Sequence, residues 1–487
     1  MRRYHIVTFG CQMNQHDSDR LRDVLADAGY APAEGLEGAD LVLLNTCSVR
    51  EKAEQKLRSE VGRLGMLKRD RPGLMIAVAG CVAQQEGERL VKKMPQIDVV
   101  IGPDQSAALP RLLEEVEQGG LPQVRTSFDV DEPRFLSGAF GRGPVRVSDF
   151  VTIMKGCDER CTFCVVPTTR GPERYRPSTE ILEEAARLVA RGTRELTLLG
   201  QTVDSYIDPL QRLERPAVSL PEPRSARGGR VRRDASEFPG LLRAIAAHVP
   251  ELCRLRYTSP HPRHLTAALI EAHRDLPVLA LHVHMPVQSG SDRVLKRMLR
   301  RYDIAEYRER VTALREAVPG LTLSTDIIVG FPGETAEDFE QTLSLVRDIG
   351  FIGVYGFKYS QRPFTPALKL DDDVSAEEKS ERLARLFELS ENQLSAHLQS
   401  LLGRRCRVLI EGRGERGGFT GRTERNEIVH VEAGADPTGA LLDVEITGAF
   451  RHSLRGTPLD PRWASAPSLG AGAPRPARAP RALPLVQ

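Results

Sequence analysis

Short apolar runs alternate with amphipathic stretches through the first third of the chain. HIVTF (5–9) has the β-branched and aromatic character of a strand, and SDRLRDVLADAG then has helical spacing up to Gly29. DLVLLN (40–45) and LMIAVAG (74–80) read as further strands, each followed by a helix, near 49–69 and 83–93. IDVVIG closes the series. Such a βαβα rhythm predicts an α/β domain over 1–120 built on a doubly wound parallel sheet.

Periodicity fades over 121–145, which reads as a linker. The rhythm restarts at FVTIM near Phe150. A helix TEILEEAARLVARG follows, with Ser178 as its expected cap and Gly192 as its stop. ELTLLG, the region around 254–259, LALHVHM and TLSTDIIVG read as later strands, with helices IAEYRERVTALREAV and TAEDFEQTLSLVRDIG. These units predict a partial (β/α) barrel over 146–374. The stretch 207–237, rich in Pro, Arg, Gly and Ser, interrupts it as an expected disordered surface insertion. Ser375-x-x-Glu378 resembles a capping box for a connecting helix over 375–402. RCRVLIEG, EIVHVEA and LLDVEITGAF, split by Gly-rich turns, predict a small all-β barrel over 403–455. The Ala/Pro-rich remainder, 456–487, is expected to be disordered.

Composition narrows the class. The chain has 487 residues, 40% of them apolar, and a net charge of +2, so it is not a uniformly basic nucleic-acid binder. No apolar run reaches the roughly 18–20 residues that span a bilayer. The N-terminal apolar stretch runs into Gln12, Asn14 and Gln15 and lacks a small-residue cleavage site, so it reads as a strand. The expected compartment is the cytoplasm, where eight cysteines serve as metal ligands or catalytic groups sooner than as disulfides.

Six of those cysteines carry the chemistry. Cys157, Cys161 and Cys164 form C-x3-C-x2-C just after FVTIM. Three thiolates on one loop suit three irons of a cubane and leave the fourth iron open to another ligand. A structural zinc site is the alternative, but it wants four closed ligands. Cys11, Cys47 and Cys81 are distant in sequence, yet each follows a strand: HIVTFGC, LVLLNTC and IAVAGC. Ligands gather at the carboxyl ends of strands in open parallel sheets, so these three converge as a second three-thiolate site. Burial as three small apolar residues is the competing reading. Cys253 and Cys406 lack such context and read as structural.

The motif CDERCTFC resembles the signature of the radical S-adenosylmethionine (SAM) superfamily. With GCQMNQHDS, NTCSVREKA and GCVAQQ, the chain resembles the methylthiotransferase family within it, over about residues 3–455. Further matching stretches are GCDERCTFCVVPTTRG, LLGQTVDSY, RYTSPHP, MPVQSGSDRVLKRM and STDIIVGFPGET. The resemblance implies a methylthiotransferase domain, a radical SAM barrel and an RNA-binding TRAM domain. It implies that Cys157, Cys161 and Cys164 hold a 4Fe-4S cluster that binds SAM. It also implies that Cys11, Cys47 and Cys81 hold an auxiliary 4Fe-4S cluster carrying the sulfur. The implied reaction is methylthiolation of carbon 2 of N6-dimethylallyladenosine at position 37 of tRNA. The implied partners are the tRNA anticodon stem-loop, a low-potential electron donor such as flavodoxin, and an iron–sulfur carrier. An unactivated aromatic C–H gives acid–base catalysis little to act on, which is why radical chemistry from a cofactor suits the task. CQMN, CSVREKA and CVVPTTRG favour the dimethylallyladenosine branch. Sister enzymes act on threonylcarbamoyl adenosine in tRNA or on an aspartate of a ribosomal protein. A non-catalytic zinc and RNA-binding protein is the alternative of another class.

Further cofactor contacts follow from the same resemblance. Phe163 lies between two cluster cysteines, where the superfamily places an aromatic beside the adenine. Gly200 and Gln201 follow ELTLL. Gln288, Ser289 and Gly290 follow LHVHMPV, and Asp326 and Gly330 lie in or just after STDIIVG. Polar groups at strand ends suit a barrel mouth, although each alone also suits a turn. Arg256, Tyr257 and His261 are candidates for the substrate face or for a structural role. Arg404, Arg405, Arg407, Arg422 and Arg425 are candidates for phosphate contacts, with a solvated surface as the alternative. The chain departs from the family at Phe364, where a small residue is usual, and in the length of the 207–237 insertion.

Overall fold

The computed structural model describes residues 1–48, 51–128, 145–210, 236–415 and 417–463. Most of the expected linker, insertion and tail therefore lies outside the described residues.

The first sheet contains β1 (Arg3–Phe9), β2 (Ala31–Pro32), β3 (Leu41–Thr46), β4 (Met75–Gly80), β5 (Val99–Ile101) and β6 (Gln123–Arg125). The order is β2-β1-β3-β4-β5-β6 and every pairing is parallel. Strands β3 and β4 are buried along their whole length, which explains their continuous apolar sequences. Leu41 and Leu43 pack with Leu21, Leu25 and Leu112 on one face. Val42 and Leu44 pack with Leu57, Val61 and Leu64 on the other. The sheet extends further than its sequence suggests: Gln123–Arg125, expected inside the linker, forms its last strand.

The central domain holds β7 (Ser148–Thr152), β8 (Met154–Lys155), β9 (Arg174–Tyr175), β10 (Glu195–Leu199), β11 (Arg254–Tyr257), β12 (His282–His284), β13 (Thr322–Val329) and β14 (Gly353–Lys358). Its sheets β11-β10-β7 and β12-β13-β14 are both parallel. A parallel bridge from Leu255 to Leu279 leads from one toward the other, giving a partial barrel around a single core. Ser178 is the first residue of its helix rather than its side-chain cap. Its N–H is bound at 3.0 Å by the Asp208 carboxylate, a partner thirty residues away. The flanks of the insertion are tied together, since Glu237 N–H donates to the Tyr206 carbonyl at 2.8 Å.

Ser375 caps the helix Ala376–Ser400 through Glu378 N–H, but the Glu378 carboxylate turns to Arg382, so only half of the expected capping box forms. The complete box is Thr335 with Asp338. β15 (Arg405–Arg413), β16 (Phe419–Thr423), β17 (Ile428–Val431), β18 (Leu441–Ala449) and β19 (Leu454–Pro458) close a small barrel in the order β15-β16-β17-β19-β18. Cys406 is part of its core. No helix among the described residues is long and apolar enough to cross a membrane.

Candidate functional site

Three neighbouring strands of the first sheet end in cysteines. Phe9 pairs with Thr46 and Thr46 with Gly80, so Cys11, Cys47 and Cys81 leave one sheet edge side by side. The close approach is built into the backbone. Gly80 has φ +93°, and a Cβ there would lie 2.4 Å from the Thr46 carbonyl oxygen. Asn14 and Asn45 hold the three loops together: Asn14 bonds Asn45 Oδ1 at 3.2 Å and the Thr46 carbonyl at 3.1 Å, and Asn45 returns a bond to the Asn14 carbonyl at 2.8 Å. No cysteine of the chain is in a disulfide. The Cys11 thiol is brought down to about 6. A hydrogen bond from Cys47 is the main cause, with Arg170 and the Asn14 backbone helping against burial. Burial raises Cys81.

Cys157, Cys161 and Cys164 lie on the loop after β8. The Cys164 N–H bonds the Cys161 carbonyl at 3.1 Å, and Thr202 Oγ1 sits 3.1 Å from the Cys157 sulfur. Burial pushes Cys164 up to about 12 and raises Cys157 as well, with the neighbouring cysteine sulfurs adding to both. Burial there favours the neutral thiols, which a bound metal would deprotonate outright. Arg300, buried, donates to the Cys161 sulfur at 3.5 Å and to the Pro286 carbonyl at 2.9 Å. Glu159, between the first two cysteines, accepts from Arg263 at 3.3 Å and lies 3.3 Å from His264 Nε2. Glu159, His261 and His264 bring ligand-type atoms within 4.8 Å of one another, but the Arg263 cation bound to Glu159 makes the group an anchor for the loop, not a cation site.

The short helix Val166–Arg170, which begins two residues past Cys164, packs on the helix that begins at Cys81. Arg170, six residues past Cys164, is buried and donates to Asp17 of the first domain at 2.6 Å. It also bonds Cys81, while its Nη1 has no partner among the described residues. Burial opposes the Arg170 charge, but Asp17 and the cysteines outweigh it and keep the guanidinium protonated. Further ties lock the domains. Arg174 meets Asp104 at 2.6 Å, Thr152 meets His16 at 2.9 Å, and Arg146 meets Asp19 at 2.7 Å. Lys155, brought down to about 8 by burial despite Asp17 and Asp104, reaches the Pro103 carbonyl at 3.3 Å. Glu159 and Arg170 lie within GCDERCTFCVVPTTRG and Arg300 just past MPVQSGSDRVLKRM, but sequence alone does not tell a buried charged side chain from an exposed one.

The other candidates divide. Phe163 packs edge-on against Phe331 beside the cysteine loop. Gln201 accepts from Gly156 N–H at 2.7 Å, so it braces that loop, and Gly200 lies against Met154. Gln288, at φ +73°, continues toward β13 through Asp326. Asp326 lies 3.4 Å from His284. The Ser289 hydroxyl accepts from Ser291 N–H at 3.2 Å. Gly290 lies against the helix Ala336–Ile349, and Gly330 lies against Lys379. Arg256 pairs with Glu195 and reaches the Thr423 carbonyl of the small barrel. Tyr257 is buried against His273 at 2.7 Å, and His261 lies buried beside Asp204. In the small barrel, Arg425 docks onto Gly320, while Arg405, Arg407 and Arg422 pair with Asp443, Glu424 and Glu411.

Residues 3–102 match the Uncharacterized protein family UPF0004, residues 151–346 the Radical SAM superfamily and residues 399–459 the TRAM domain. The chain is 59% identical to a tRNA-2-methylthio-N(6)-dimethylallyladenosine synthase of Sorangium cellulosum, over 100% of this chain and 99% of that one. It is 44% identical to the enzyme of that name from Bordetella petrii, over 93% and 91%. It is 43% identical to one from Neisseria meningitidis, over 94% and 99%. Among solved structures, a radical S-adenosylmethionine methyltransferase from Kitasatospora setae shares the fold at 15% identity. The TM-score is 0.50, and 75% of each chain is covered.

Proposed function

The chain belongs to the family of tRNA-2-methylthio-N(6)-dimethylallyladenosine synthases and is a radical SAM methylthiotransferase; from that premise we propose that it places a methylthio group on carbon 2 of N6-dimethylallyladenosine at position 37 of tRNA. The observation that supports this most is the presence of two three-cysteine sites in one interlocked pair of domains. Cys157, Cys161 and Cys164 would hold one 4Fe-4S cluster, and Cys11, Cys47 and Cys81 a second. The donor sets fit: three sulfurs each, buried or half-buried, with a buried arginine beside each set to offset negative charge. When bound, such clusters supply a low-potential electron and an iron open to SAM or to sulfur.

The chain's own part is positioning. Thr202, Arg300 and the Glu159–Arg263 pair fix the barrel cysteines. Asn14, Asn45 and Arg170 fix the others. Phe163 and the strand-end residues Gly200, Gln201, Gln288, Ser289, Gly290, Asp326 and Gly330 would surround SAM. The TRAM barrel would bind the anticodon stem-loop, and a flavodoxin-like donor and an iron–sulfur carrier would serve the clusters. Two such sites on domains joined by the Arg170–Asp17 pair would let one adenine meet both a radical source and a sulfur source without leaving the protein.

Mass spectrometry of tRNA nucleosides from a strain lacking the gene tests the reading. N6-dimethylallyladenosine should accumulate without its methylthio group and regain it on complementation. An unchanged nucleoside profile would refute the assignment and favour a sister substrate.

A further inference from the structure

Phe364 combines three properties that a packing residue does not have together. It is 58% exposed, its φ is +66°, and its ring lies 5.6 Å from the guanidinium of Arg89, which belongs to the other domain. A bulky side chain in the left-handed region is strained, and burial gives little in return at an exposed site.

The pair also has a telling address. Arg89 lies eight residues past Cys81, on the helix Glu88–Lys93 that follows the one beginning at that cysteine. Phe364 lies three residues before Ala367, whose N–H donates at 2.9 Å to the carbonyl of Thr162, between Cys161 and Cys164. The ring and the cation are therefore each linked through a short stretch of chain to a segment that carries one of the triads. Arg362, two residues before the ring, reaches toward Glu54 of the first domain at 3.9 Å and helps to place the loop.

We infer that Phe364 and Arg89 form a stacking platform for a nucleobase of the tRNA, next to the adenosine presented to the two cysteine triads. This rests on the tRNA reading above. An exposed aromatic ring with a cation over it can hold an unpaired base: the ring stacks on any base, and the guanidinium answers the phosphate. Such a platform holds a neighbouring base, so that the target base is free to turn inward. A protein partner would gain little from one isolated ring.

The test uses the full-length, cluster-loaded protein. The probe is an anticodon stem-loop carrying N6-dimethylallyladenosine, with 2-aminopurine at the neighbouring positions in turn. Phe364→Gly should weaken binding by about 5- to 100-fold, the range of one base–aromatic stack, and should relieve quenching of one 2-aminopurine. Its melting temperature should not fall, because glycine accepts the left-handed backbone. Phe364→Trp should bind within about twofold of the unaltered protein, since a larger ring still stacks. Equal affinity for Phe364→Gly and the unaltered protein overturns the platform while leaving the tRNA reading intact. Failure of the unaltered protein to bind the stem-loop overturns both.

Discussion

Gly290→Ala separates two roles for the segment Gln288–Gly290. A Cβ at Gly290 would lie 2.5 Å from Thr342 Cα and 2.7 Å from the Gln341 carbonyl oxygen, both in the backbone of the helix Ala336–Ile349. No rotamer change relieves a clash with helix backbone, so the helix must retreat by roughly 1 Å in a close-packed interior. Overpacking of this kind costs about 1–3 kcal/mol. The same retreat stretches the 2.9 Å bond from Gly290 N–H to Thr342 Oγ1, worth about 1 kcal/mol. The sum is about 2–4 kcal/mol, or roughly 5–15 °C in the melting temperature of a domain this size. Calorimetry of Gly290→Ala beside Ser289→Ala measures it, and the serine variant should melt much closer to the unaltered protein. If Gly290→Ala melts as the unaltered protein does, the packing argument is wrong.

Three further outcomes follow from the site and its surroundings. Cys157→Ala should abolish cleavage of SAM, while Cys47→Ala should spare cleavage and stop sulfur insertion; equal loss in both variants contradicts separate roles. Asp104→Ala removes the buried carboxylate that Arg174 meets across the domain junction and should cost about 3–5 kcal/mol, read by denaturant unfolding or by faster proteolysis of that junction. His273 is buried against Tyr257, and burial lowers it to about 4 from an ordinary 6.5. A depressed histidine stabilises the fold above the unfolded value and loses that contribution as pH falls through the folded one. Stability should thus decline between about pH 6.5 and 4 by roughly 3 kcal/mol from this group, and His273→Gln should flatten that window.

The layout was legible because it rests on short-range pattern. Apolar strands of a parallel sheet announce themselves, and a cysteine directly after such a strand has one place to go. That is why Cys11, Cys47 and Cys81 could be grouped across seventy residues of chain. Long-range choices were not legible. Gln123–Arg125 is too short to show a period, yet the exposed edge of β5 recruits it. Ser178 has the right side chain for a cap, but Asp208 reaches the N–H instead. Arg256 follows the motif pattern of a site residue and is claimed by Glu195 and the small barrel. Arg170 and Arg300 matter only because folding places each beside sulfur, and no local sequence feature encodes that.

Iron and acid-labile sulfide in anaerobically prepared protein address the central claim most directly. The unaltered chain should carry about eight of each. The triple alanine variants at Cys157, Cys161 and Cys164, or at Cys11, Cys47 and Cys81, should each keep about four. A triple variant that keeps the full complement, or zinc in place of iron, would contradict two independent three-cysteine cluster sites.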